Sequence, residues 1–228
     1  MIGPMPGSLA HRTIAALLML AAAGAGAATL RVTVTNADGK PAADAVVLLQ
    51  LPNAPPPPVP AEPVAIVQKD IRFVPFVTAV GLGTTVRFVN RDSFDHHVRS
   101  QPGGPLASVP PAKQFEFRLA RMKGGTPTSA DLTLDVPGTI VLGCHIHGSM
   151  RGHIYVSASP WFAVTDERGQ AVLEGVPDGA AELRTWHPDE LVEQPVQKLQ
   201  VAGDTKAESR LNFTPRKRLQ PRRSEYDY

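Results

Sequence analysis

The stretch Gly143-Cys144-His145-Ile146-His147-Gly148-Ser149-Met150-Arg151-Gly152-His153-Ile154-Tyr155-Val156 places a thiol, an imidazole three residues on and a thioether three further along one short loop. ADLTLDVPGTIVLGC (130–144) precedes it and the apolar GHIYV (152–156) closes it. Both flanks read as strands bounded by Pro, Gly and Asp, so the loop joins two strands. Upstream, IVQKDIRFVPFVTAVGLGTTVRFVN (66–90), SFDHHVRS (93–100) and QFEFRLA (114–120) are further strand-like runs at close spacing. Between 111 and 130 a strand followed by a loop is expected rather than a helix, because no 3.6-residue periodicity is sustained. Several short strands in about ninety residues argue for a sandwich or barrel.

Farther out the pattern changes on both sides. Residues 29–50 alternate Leu30, Val32 and Val34, break at Asn36-Ala37-Asp38-Gly39 and resume with Val46-Val47-Leu48-Leu49, which predicts a hairpin-like pair of strands. Pro52 to Pro63 is too proline-rich for a sheet interior and is expected to be a linker. After Ser159-Pro160, WFAVTDERGQAVLEGVPDGAAELRTWHPDE (161–190) reads strand, turn, strand, turn, strand, and PVQKLQVAG (195–203) supplies one more. Trp161, Phe162 and Trp186 are expected in cores or at an interface between modules. The overall class is all-β.

The N-terminus sets His11 and Arg12 before an apolar run from Ile14 to Ala23 and the small triplet Ala25-Gly26-Ala27. This is the pattern of a cleaved secretory signal over residues 1–27, its apolar run shorter than a spanning helix needs. No later segment is long and apolar enough to span a bilayer, so an exported, periplasmic chain is expected. In that oxidising setting the single cysteine, Cys144, has no internal disulfide partner. Metal ligation is one explanation for it and an inert buried thiol is the plain alternative. The formal charge is +2, with a net +3 in the tail from Pro215; without the tail and Arg12 the body carries about −2. No basic stretch with interleaved aromatics speaks for nucleic acid.

The motif Val89-Asn90-Arg91-Asp92-Ser93-Phe94-Asp95-His96-His97-Val98 supplies a second imidazole at the end of a strand and turn. Two histidines, one cysteine and a weak axial methionine form the trigonal set that copper prefers in electron-transfer sites. Zinc competes for Cys and His but draws little from a thioether. Cys-x-x-His-x-x-Met-Arg-Gly before an apolar strand resembles amicyanin, and Asn-Arg-Asp-x-x-x-His-x-Val resembles the first-ligand motif shared by amicyanin and plastocyanin. The resemblance covers roughly 64–157 and implies a cupredoxin Greek-key β-sandwich. It also implies one copper ion, with His96, Cys144 and His147 as equatorial ligands and Met150 as the axial one. Two positions depart from it: His97, where those families carry Asn, and His145, directly after the cysteine. If His96 and Cys144 point inward from neighbouring strands, His97 and His145 point to the opposite side and near each other. There they could bind a second, weaker metal ion or simply stand as exposed imidazoles.

The outer segments are similar to a transthyretin-like (carboxypeptidase-regulatory-like) β-sandwich, and together with the cupredoxin part resemble periplasmic proteins of the methylamine-utilisation type. The expected organisation is a signal at 1–27, a first part of the transthyretin-like sandwich at 28–50 and a linker at 51–63. The cupredoxin sandwich follows at 64–157, then the second part of the discontinuous domain at 158–203 and a basic, disordered tail at 204–228. The expected function is one-electron transfer between redox partner proteins, not catalysis. The alternatives are a copper carrier without an electron-transfer role, a degenerate site that binds no copper tightly, and a single catalytic copper on His97, His145 and His153.

Overall fold

The computed structural model describes Gly3 and residues 27–217; the rest of the expected signal and the last residues of the tail lie outside the described residues. Among the described residues sixteen strands run in chain order: β1 Ala27–Thr35, β2 Val46–Gln50, β3 Val64–Lys69, β4 Arg72–Val74, β5 Val77–Gly81, β6 Thr85–Asn90, β7 His96–Gln101 and β8 Glu116–Leu119. They continue with β9 Thr128–Thr133, β10 Gly138–Cys144, β11 Arg151–Ser157, β12 Trp161–Val164, β13 Gln170–Pro177, β14 Gly179–Trp186, β15 Gln197–Val201 and β16 Thr205–Arg210. The fold is all-β, and no described helix is long and apolar enough to cross a membrane.

Four sheets enclose two separate cores. A five-stranded sheet, β5-β11-β10-β7-β8, and a four-stranded sheet, β4-β3-β6-β9, share a core that contains Ile66, Phe88, Val98, Ile140, Leu142 and Ile154. A three-stranded sheet, β13-β1-β16, and a four-stranded sheet, β12-β2-β14-β15, share another, around Leu30, Val32, Leu49, Trp161, Leu173 and Leu183. From β1 onward the described chain starts in the second of these units, passes through the first, and returns.

The apolar patterns explain the placement. In β1, Leu30, Val32 and Val34 are buried while Arg31 and Thr33 face solvent, the alternation of a half-buried strand. In β2, Val46, Val47, Leu48 and Leu49 are all buried. Val47 and Leu49 enter the core beside β1, whereas Val46 and Leu48 turn to a third cluster with Val77, Phe76, Tyr155, Phe162 and Trp186. A strand that is apolar on both faces needs cover on both sides, and here the opposite unit supplies it. Trp161 therefore serves a core, and Phe162 and Trp186 serve the seam. His153 also lies at this seam, its ring centroid 5.0 Å from that of Phe76 and 6.1 Å from that of Trp186.

Two expectations are corrected. β1 and β2 do not form a hairpin: β1 pairs with β13 and β16, β2 with β12 and β14, in facing sheets. The turn itself forms, with Asn36 Oδ1 accepting from the Asp38 and Lys40 amides, but β2 needs two covered faces and crosses to the other sheet. The basic tail does not begin at 204, because β16 runs parallel to β1 and Leu211 is buried in the core beyond it. The sequence of β16, TKAESR, hides its alternation because the inward positions are small or polar. Ser209 is satisfied there by a 2.8 Å hydroxyl contact with Thr185. Residues 51–63 form no strand, as expected, yet Pro57 is buried against Gly81, where a Cβ would come within 2.7 Å of the proline ring.

His187 is buried just after β14; its Nδ1 accepts from the Asp189 amide and its amide donates to Glu190. Burial, partly offset by that amide and reinforced by Glu193, pushes the Glu190 carboxyl up to about 7. A raised carboxyl pKa favours the fold fully below the ordinary value near 4.5 and loses that contribution as pH rises through about 7. Glu190→Gln is therefore expected to be more stable than the parent at pH 8 and no more stable at pH 4. The gain is bounded by about 3 kcal/mol and reduced by partial exposure. Denaturant titrations at the two pH values check this, and an equal effect at both would contradict it.

Candidate metal centre

The centre forms where the ends of two paired strands meet. β7 and β10 are antiparallel neighbours with Cys144 opposite Val98, so His96 at the start of β7 and Cys144 at the end of β10 lie at the same edge. Strand alternation turns His96, Val98 and Cys144 inward: His96 is 0% and Cys144 2% exposed. The loop after Cys144 returns at once, its Met150 amide donating to the His147 carbonyl at 2.9 Å, and this folds His147 back toward the sulfur. Met150 is buried in the same core cluster as Cys144, while Gly148 and Ser149 are exposed.

His96 Nδ1 stands 3.7 Å and His147 Nδ1 3.5 Å from Cys144 Sγ, and the three donor atoms lie within 4.8 Å of one another. Metal–nitrogen bonds of about 2.0–2.1 Å and a metal–thiolate bond of about 2.3 Å, opened by 109–120°, put nitrogen and sulfur about 3.5–3.8 Å apart. The residues thus fit a transition ion with little rearrangement. The structure brings His96, Cys144 and His147 together and leaves His153 at the seam.

A supporting set was not assigned from the sequence. Asp92 Oδ2 lies 2.8 Å from His96 Nε2, which fixes the ring with Nδ1 toward the sulfur. The same carboxylate accepts the amides of Asp70 (2.7 Å) and Ile71 (3.3 Å), the two turn residues between β3 and β4. Those residues have φ of 53° and 57°, a region that a β-branched side chain such as Ile71 rarely enters, so the carboxylate holds a costly turn in place. Asn90 is buried; its Oδ1 accepts the Asp92 amide, and its Nδ2 donates to the Phe94 and Ala120 carbonyls, tying down the loop that carries Asp92. The signal was present in Asn90-x-Asp92 just ahead of His96. Only the fold shows that the Asp92 side chain turns back to the ring.

The electrostatics follow from these contacts. Burial alone would raise the Cys144 thiol, but hydrogen bonds from the His97 amide, from His96 and from the loop amides outweigh it and bring the pKa below its ordinary value. For His96, burial works against the charged form, and the Asp92 and Cys144 contacts overcome it, so its pKa is raised. Asp92 is likewise destabilised by burial but held below the usual carboxylate range by His96 and the two turn amides. His147 is pushed down by burial and by His96, which favours the neutral ring that can donate a lone pair. Phe94 packs against both rings, at 5.3 Å from His96 and 5.1 Å from His147.

No family model and no curated protein matches this chain. Among solved structures it is similar to a reduced amicyanin variant, with 21% identity, a TM-score of 0.31, and coverage of 48% of this chain and 98% of that one. It is similar to a second amicyanin variant, in the Cu(I) form, at 23% identity and TM-score 0.32 over the same shares. A copper-containing nitrite reductase from Thermus scotoductus SA-01 matches at 27% identity and TM-score 0.35, over 47% of this chain and 27% of that one.

Asp92→Asn removes the charge that orients His96 and caps the Asp70-Ile71 turn. It is expected to weaken metal binding about 10- to 100-fold and to cost about 1–3 kcal/mol of metal-free stability. Chelator competition and urea unfolding measure the two effects, and an unchanged affinity would show that the ring is oriented without Asp92.

Proposed function

We propose that this chain is an exported type 1 copper protein of the cupredoxin kind, which carries single electrons between periplasmic redox partners and is not itself an enzyme. The observation that supports this best is the buried thiolate with an imidazole Nδ1 at 3.5 Å and another at 3.7 Å. His96, Cys144 and His147 would hold one copper ion, with Met150 as the axial donor. Bound copper would supply a one-electron couple between Cu(I) and Cu(II). The chain holds the donors in place through the Asp92 tether, the His97 amide on the sulfur at 3.4 Å and the rigid β7–β10 pair. Soft sulfur and borderline imidazole donors tolerate both oxidation states, and a preset geometry needs little rearrangement between them.

His147 is the proposed exit for the electron. It is half-buried and lines a surface depression with Phe94, Ile146, Arg121, Lys123 and the Asp95–Arg118 ion pair. Ile146 is 55% exposed, an apolar contact beside cationic residues that would favour a partner carrying acidic groups around an apolar patch. Residues 28–50 and 158 onward would form a transthyretin-like module that anchors the copper unit through the seam at β2.

Loaded with Cu(II), the chain is expected to show an intense red-region thiolate-to-copper band that disappears in Cys144→Ser. Absence of the band from stoichiometrically loaded protein would overturn the assignment. His147→Ala is expected to abolish electron exchange with a small redox protein even where copper is partly retained, and unchanged exchange would rule out the His147 exit. Loss of copper on each reduction, followed by chelator trapping, would favour a carrier.

A further inference from the structure

On the opposite face of the same sheet edge, His97, Glu116 and His145 place one donor atom each within 4.8 Å of one another. We propose that these three residues form a second, solvent-facing site for a divalent first-row transition ion, separate from the buried centre.

Three adjacent strands build it. His97 follows the inward His96 on β7 and so points outward; Glu116 opens β8, whose register with β7 sets it opposite Arg99, diagonal to His97. His145 follows Cys144 at the end of β10, and its amide donates to the His97 carbonyl at 3.0 Å, which fixes the two histidine backbones side by side. Their rings are stacked at 5.6 Å with 21° between planes. Glu116 Oε1 lies 3.0 Å from His97 Nε2 and 3.7 Å from His145 Nδ1. The arginine opposite His97, Arg118, is engaged by Asp95, so it is turned to another carboxylate.

Metal–nitrogen and metal–oxygen bonds of about 2.0–2.2 Å at angles between 90° and 120° separate donors by about 2.8–3.8 Å. Both contacts of Glu116 fall within that range. The side chains are 35%, 51% and 60% exposed for His97, Glu116 and His145, so small rotations are cheap and coordination positions remain open to water. Two imidazoles and a carboxylate contain no soft sulfur. They suit Cu(II) and Zn(II), with Cu(II) tighter in the usual divalent order, and offer Cu(I) little. The two sites therefore differ in kind: the thiolate site would hold copper in both oxidation states, while the sulfur-free site favours divalent ions. They are also joined, since His97 and His145 directly follow two proposed ligands of the buried centre.

The test is titration of the full chain with Cu(II), and separately Zn(II), against a competing chelator, in the parent and in Cys144→Ser, His145→Ala and Glu116→Gln. The expected result is two Cu(II) equivalents in the parent and one in Cys144→Ser. That remaining equivalent should show a nitrogen-coordinated paramagnetic spectrum and should broaden the His97 and His145 ring resonances. His145→Ala should lose the second equivalent while keeping the thiolate-to-copper band, and Glu116→Gln should weaken it by about tenfold or more. A Cys144→Ser chain that binds no Cu(II), or a second equivalent untouched by both His145→Ala and Glu116→Gln, would overturn the proposal. A single parent equivalent that survives Cys144→Ser and vanishes in His145→Ala would support the surface site and instead defeat the buried one.

Discussion

The antiparallel pairing of β7 with β10 is the constraint on which the rest of the site depends. It brings residue 96 and residue 144, far apart in the chain, to one end of one sheet with their side chains on the same inner face. Strand alternation then does two things at once. It turns His96 and Cys144 into the core and, one residue on, turns His97 and His145 out to solvent. A one-residue slip of β7 against β10 would put His97, and not His96, on the face that Cys144 occupies.

Hydrogen bonds tie the buried centre to its neighbouring loops. Asp92 links the ring of His96 to the β3–β4 turn, and Asn90 links the Asp92 loop to the segment after β8. Both residues are buried, and each contact satisfies a polar group that would otherwise cost free energy in the interior. The Asp92 contact also sets the ring tautomer of His96, while the His97 amide and His96 itself favour the thiolate, so holding the fold and preparing the donors are linked.

Much of this was legible in the residues. Cys144, His147 and Met150 lie in one loop, and their spacing alone put them together; the strands around them carried clear apolar runs bounded by Gly and Pro. Less legible were the contacts that depend on a side chain's direction. Asp92 reads as an ordinary turn residue until the loop is seen to fold its carboxylate back onto His96. β16 escaped because TKAESR has no apolar face, although its inward positions are small enough to pack beside β1.

By itself the sequence determined the all-β class, the donor types and their local spacing, because these rest on alternation, turn residues and ligand chemistry within a few residues. Only the tertiary structure decided which sheet each strand joins, since β2 crosses away from β1 to cover two apolar faces at once. It also decided that Glu116 stands beside His97 and His145, and that His153 lies at the seam instead. Those placements come from pairing between distant segments, where a residue's neighbours are set by register across strands and not by its position along the chain.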